Sequence, residues 1–200
     1  MIWKTEFSPL LKDFELRHQP VIIRVNKFNE KSAQEFNSKV AAAHSTGQKV
    51  IPVIIDSYGG QVYSLLSMIG TIRASELPIA TIVEGKAMSC GAVLLSCGEN
   101  GMRFADPGAT IMIHDVSSGG HGKIEELKAD VAEAERLDEK IFTIMARNCG
   151  KKDDYFKKKV FNKKHADWFI EPAEAKRHGL VDQLRTPKMI VKVDVDIDFE

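Results

Sequence analysis

The chain has 200 residues, 44% hydrophobic and 28% charged, which is enough apolar material for one globular domain (1–200) with a real core. Its 28 basic and 28 acidic residues cancel, which removes the global electrostatic case for nucleic acid or an anionic membrane as principal partner. Cys90, Cys97 and Cys149 form an odd set with no C-x-x-C pair, which argues against a disulfide framework and a thiolate zinc site and suits a reducing interior.

Residues 1–19 read as an N-terminal segment ahead of the first strand. They lack the basic stretch and apolar block of a signal peptide, and no apolar run in the chain reaches bilayer-spanning length, so a soluble, cytoplasmic protein is expected. PVIIRV (20–25) is short and β-branched and predicts a buried strand. NEKSAQEFNSKVAAAHSTG (29–47) has helical composition and ends at a glycine stop. Strand character returns at KVIPVIID (49–56), helix at GGQVYSLLSMIGTIRAS (59–75) and strand at PIATIVEG (78–85). Successive strand-then-helix units predict a largely parallel, buried sheet and an α/β fold.

From Lys123, the residues Ile124, Leu127, Val131, Ala134, Ile141 and Met145 recur at spacings that fit one amphipathic helix over 123–149. At 1.5 Å per residue it would run about 39 Å, longer than a domain of this size needs, so it is expected to project and pack on another subunit. The tail 188–200 alternates Val191, Val193, Val195, Ile197 and Phe199 with charged residues, which predicts a strand with one wet face.

Ser89 lies in EGKAMSCGAVLLSCG (84–98), at the start of a small-residue apolar run. A serine hydroxyl is a weak nucleophile unless a base takes its proton and donors stabilise the oxyanion it creates. Among the six histidines His114 stands apart, because it ends the apolar run ATIMIH where a strand would hold an imidazole rigidly. His44 and His178 sit at helix ends and read as surface residues. Gly59 and Gly60 in IDSYGGQV (55–62) fall between a strand and a helix, where bare backbone N–H groups approach a bound group closely. The structural alternatives are a packing serine and an ordinary strand-to-helix turn. Cys90 as nucleophile would need a depressed pKa that no neighbour in sequence supplies. Ser89 has Ala87 two residues before it and so lacks the G-x-S-x-G elbow of an α/β-hydrolase. SSGGHGKI (117–124) fails as a phosphate loop and reads as a flexible strand; KKDDYFKKK (151–159) reads as a solvated helix face.

Taken in order, IDSYGGQVYS, GKAMSCGAVLLSCG, RFADPGATIMIHD and DWFIEPAEAKRHGLVDQL resemble the glycine turn, nucleophile block, base block and acid block of the Clp proteolytic subunit family, the ClpP-like serine peptidases, over about Val21 to Leu184. The resemblance implies the spiral of strand-strand-helix units shared by ClpP and the crotonases. It implies Ser89 as nucleophile, His114 as base and Asp167 as the acid that orients it, with the amides of Gly60 and Cys90 as oxyanion hole. For the acid, Asp115, Asp153, Asp154 and Asp182 are alternatives. Extended peptide would be laid along the 117–124 edge by strand addition.

The resemblance further implies a homo-oligomeric, heptameric ring, with stacking into a tetradecamer through the long helix. Unfolded proteins or peptides would be the substrate and an AAA+ unfoldase the partner. No cofactor or metal is expected in this chain, ATP being used only by that unfoldase. Four departures from the family pattern suggest a divergent, phage-encoded relative, with a phage head-maturation peptidase of the same family as the alternative reading: Ala166 where an arginine commonly pairs across the ring interface, a short segment before the first strand, DSYGG in the turn, and an additional acidic-aliphatic tail after Pro187. A silent ring subunit, a crotonase and a Ser-Lys signal-peptide peptidase are the rival readings.

Overall fold

The computed structural model describes residues 19–117, 119 and 121–190. Of the alternating tail expected over 188–200, residues 191–200 lie outside the described residues, as does most of the N-terminal segment. The elements run β1 (Ile23–Val25), α1 (Glu30–Ala43), β2 (Ile51–Ser57), α2 (Val62–Ala74), β3 (Ile79–Met88), α3 (Cys90–Ser96), β4 (Arg103–Ala105), β5 (Thr110–Ile113), α4 (Ile124–Asn148), α5 (Tyr155–Asn162), β6 (Trp168–Ile170) and α6 (Pro172–His178).

One sheet organises them in the order β1-β2-β3-β5-β6, with β4 also paired to β3. β1, β2 and β3 are parallel, as the strand-helix alternation predicts, and Ile51, Val53, Ile54 and Ile55 of β2 are all buried. Pro52 is tolerated in this central strand because β1 starts its pairing only at Val53, while Ile51 already donates to Pro78 on the β3 side. The helices follow local rules: Asn29 and Ser32 form a reciprocal cap at the start of α1, and Ala33, Phe36, Val40 and Ala43 turn one buried face to the sheet. Val53, Ile55 and Val83 face the main core, while Ile54, Ile82 and Phe104 form a smaller cluster with Ala80 on the opposite face.

β3 is the element that positions the site. Its first part pairs with β4 (Thr81↔Arg103 to Val83↔Ala105) and its last part with β5 (Lys86↔Thr110 to Met88↔Met112). The register against β2 shifts between Ile55↔Val83 and Ser57↔Ala87, around Gly85, so the strand continues three residues past its expected end and delivers Ser89 at its tip. β5 then pairs antiparallel with β6, Ile111↔Ile170 through Ile113↔Trp168.

α4 runs as one helix of 25 residues, as its periodicity predicts. Its buried positions, Leu137, Ile141, Phe142, Ile144, Met145 and Ala146, all lie in the second half, and Ile124 and Val131 in the first half are exposed. The expected strand at 117–124 is not there: its described residues pair with no strand, and Ile124 already opens α4. Three glycines in SSGGHGKI favour irregular backbone over a ladder.

Candidate active site

Ser89 sits at the tip of β3 and is the cap residue of α3, with φ 54 and ψ −119. For a residue with a side chain this is a strained conformation, close to that of the first corner of a type II′ turn, where glycine is preferred. Both its main-chain groups are engaged: the N–H donates to Met112 O (2.9 Å), and the carbonyl accepts from Ala92 N (2.9 Å) and Val93 N (3.3 Å). The backbone is thus fixed and the hydroxyl is presented on a sharp strand-to-helix turn.

The glycine turn packs directly against it. Gly59 has φ 109, and a Cβ there would lie 2.7 Å from Ser89 Cβ and 3.2 Å from Ser89 Oγ. Gly60 has φ 146, and a Cβ there would lie 2.4 Å from Phe28 O. Gly59 O accepts from Phe28 N and Phe28 O accepts from Gln61 N, so the bridge to Phe28 leaves the Gly60 N–H turned away. Among the described residues neither the Gly60 nor the Cys90 amide makes a backbone hydrogen bond.

His114 follows β5 directly. Carrying the β5–β6 ladder one step past Ile113↔Trp168 sets His114 opposite Asp167, and His114 Nδ1 lies 3.7 Å from Asp167 Oδ1. That separation is an ion-pair distance and too long for a hydrogen bond. Ser89 and His114 line one cleft with Gly60, Ser117, Phe142 and Met145, yet no hydrogen bond joins the Ser89 hydroxyl to the imidazole. With Nδ1 turned to Asp167, Nε2 is the nitrogen left for Ser89. The other acids are engaged elsewhere: Asp153 with Arg147, Asp154 with Lys158, Asp182 with Arg103, and Asp115 with His165.

Cys90 faces away from the cleft role a nucleophile needs. It is buried, its thiol contacts Gly60 O (3.3 Å), and burial pushes its pKa up to about 11 despite that bond. Cys97 and Cys149 are likewise raised by burial, to about 11 and about 12. A methyl at Gly91 would make ordinary contact with Ser57 O at 3.5 Å, so α3 packs closely without requiring glycine at that position. No lysine lines the cleft among the described residues, and Lys86 is bound to Asp56 (2.7 Å).

His44 and His178 take different places. His44 caps the end of α1, its ring bonded to Val40 O (2.8 Å). His178 is not the surface residue expected from its helix-end position. It packs on Trp168 (ring centroids 5.0 Å), meets Tyr155 OH (2.8 Å), and burial lowers its pKa. The expectation failed because α6 turns its last residue inward, towards the face of β6. Sequence reasoning also missed the cleft floor from α4 (Ile141, Phe142, Met145) and the Asp115–His165 contact. The apolar period of α4 pointed to a packed face without saying what it packs on.

No helix among the described residues is long and apolar enough to cross a membrane. The profile of the Clp protease family matches residues 12–188. The chain is similar to the ATP-dependent Clp protease proteolytic subunit of Deinococcus radiodurans, with 35% identity over 137 residues, covering 68% of this chain and 65% of that protein. The aligned region therefore spans just under two thirds of the relative's length. Because the profile match takes in the glycine turn, the Ser89 turn and the β5–β6 ladder in one continuous stretch, this α/β chain belongs to the Clp protease family.

Proposed function

We propose that the protein is a serine endopeptidase that hydrolyses peptide bonds of unfolded proteins or peptides through an acyl-enzyme on Ser89. The observation that carries this reading is one cleft lined by Gly60, Ser89 and His114, in which the serine is strained and backbone-fixed with the Cys90 amide next to it in the chain, and the histidine is turned to Asp167. His114 Nε2 takes the Ser89 proton as Oγ attacks the carbonyl carbon; the developing oxyanion is held by the Gly60 and Cys90 N–H groups. The proton then passes to the amine, which leaves as the C–N bond breaks. Water attacks the ester by the same route in reverse, and Asp167 steadies the imidazolium throughout.

In this reading the 3.7 Å gap at Asp167 and the open Ser89–His114 spacing close by a small movement before catalysis. Assembly supplies the means in this reading: a ring of copies, stacked through the bare half of α4, would enclose the sites and set the cleft. The chain needs no cofactor, ATP being the business of an AAA+ unfoldase, and it works in the cytoplasm. A catalytically silent ring subunit is the second reading, favoured by the same open geometry.

The test is an active-site-directed fluorophosphonate on wild type and Ser89→Ala, read by intact mass with native mass on the same samples. One adduct on wild type and none on the variant is expected. An intact ring without adduct would support the silent subunit, and equal labelling of both would remove Ser89 from the chemistry.

A further inference from the structure

The two segments that carry His114 and Asp167 are joined by a second contact that no step above uses. The β5–β6 ladder ends at Ile113↔Trp168, so neither His114 nor Asp167 is held by strand pairing. β6 has only three residues and lies at the sheet edge. The chain approaches Asp167 through Lys164 (φ 58) and His165 (φ 59), two successive left-handed residues that are not glycine. Such backbone persists only where its surroundings hold it. Here the His165 N–H donates to Val160 O (3.2 Å), the ring lies edge-on to Phe161 (centroids 5.4 Å), and Nδ1 meets the carboxylate of Asp115, the residue after His114. Asp115 is followed by Val116, whose N–H donates to Asp138 Oδ1 on α4 (3.0 Å). Ala166, between the two, offers no polar side chain.

We propose that Asp115 and His165 are positioning residues, a clasp that continues the β5–β6 pairing past its last rung and sets the spacing of His114 and Asp167. The proposal rests on the Ser89–His114–Asp167 reading. Its physical basis is leverage: the clasp lies one residue beyond His114 and two before Asp167, where a displacement of about 1 Å is worth up to a hundredfold in rate.

Fluorophosphonate labelling rates and kcat and KM on an unstructured peptide are measured for wild type, Asp115→Ala, His165→Ala, the double variant and His165→Asn. Asparagine keeps both a donor and tolerance of left-handed backbone. Each alanine variant is expected to lose about ten- to a hundredfold in kcat and labelling rate with KM within about twofold, the double to be no worse than either single, and His165→Asn to recover to within about threefold of wild type. Wild-type kcat in the single variants, or losses that multiply in the double, would overturn the proposal. Failure of the underlying reading shows differently, as labelling that survives in Ser89→Ala. Hydrogen exchange over 164–170 gives a readout free of chemistry: faster exchange in Asp115→Ala is expected, and unchanged exchange would mean there is no clasp.

Discussion

Ser89 carries a conformational cost in its backbone. At φ 54 and ψ −119 its Cβ is held where glycine would sit freely, and Gly59 on the facing turn leaves it the room that a side chain there would take, while the close approach of Gly60 is to Phe28. Ser89→Gly is therefore expected to be inactive yet more stable than Ser89→Ala, by about 1 kcal/mol in urea unfolding, because glycine relieves the left-handed strain. Equal or lower stability for the glycine variant would mean the turn is unstrained. The candidate site was legible in the sequence through the order of four blocks more than through any one residue: taken singly, Ser89 reads as a packing serine and Gly59–Gly60 as an ordinary turn, and Asp167 is singled out only by the resemblance. The Asp115–His165 contact was not legible. It joins residues 50 apart, and it depends on the β5–β6 register and on two left-handed residues that no local pattern announces.

At the scale of elements, period was the reliable signal and pairing was not. The apolar runs of β2 and β3 and the Asn29 start of α1 appear where composition puts them, although α1 closes at His44 and not at the expected Gly47, whereas the extension of β3 to Met88 depends on a register shift around Gly85 that only the assembled sheet creates. α4 shows both sides. Its stripe of Ile124, Leu127 and Val131 continues the line of Ile141 and Met145, but the body of the protein covers only the second half. The first half is steadied from one side, where Tyr63 of α2 meets Glu133 and Glu133 pairs with Arg136 (2.7 Å). In the proposed ring, a second copy would cover this apolar stripe. Val131→Glu is expected to shift native mass towards smaller assemblies, each contact losing about 1.5 kcal/mol or more of apolar burial, while the urea midpoint of the protomer stays unchanged. Unaltered assembly would move the interface away from this half of α4.

Among the described residues, distant segments are tied by the Arg103–Asp182 ion pair, whose acid the sequence offered only as a spare for the site. Arg103 on β4 is 5% exposed and is chelated by Asp182, with Nη2–Oδ1 at 2.6 Å and Nε–Oδ2 at 2.8 Å. Asp182 Oδ2 also accepts from the amides of Gly101 (2.9 Å) and Arg103 (3.0 Å), and Arg103 Nη1 reaches Asn148 O at the end of α4 (3.1 Å). The pair thus fastens the chain after α6 and the last turn of α4 to the β4 edge. Burial alone would raise the Asp182 pKa, but the bonds from Arg103 outweigh it and hold the carboxyl below its ordinary value. A carboxylate with a depressed folded-state pKa adds stability in full above its unfolded value of about 4, and loses it as pH falls through the folded value. Asp182→Asn leaves the Arg103 charge buried without its partner, which costs about 3 kcal/mol at neutral pH. The gap between wild type and variant in urea unfolding is expected to narrow as pH falls below about 4, because acid then removes from the wild type the same anion that the substitution removed. A gap that stays constant down to about pH 3 would show that the bidentate geometry stabilises without its charge, and that the tie between β4, α4 and the C-terminal segment is steric packing around Arg103.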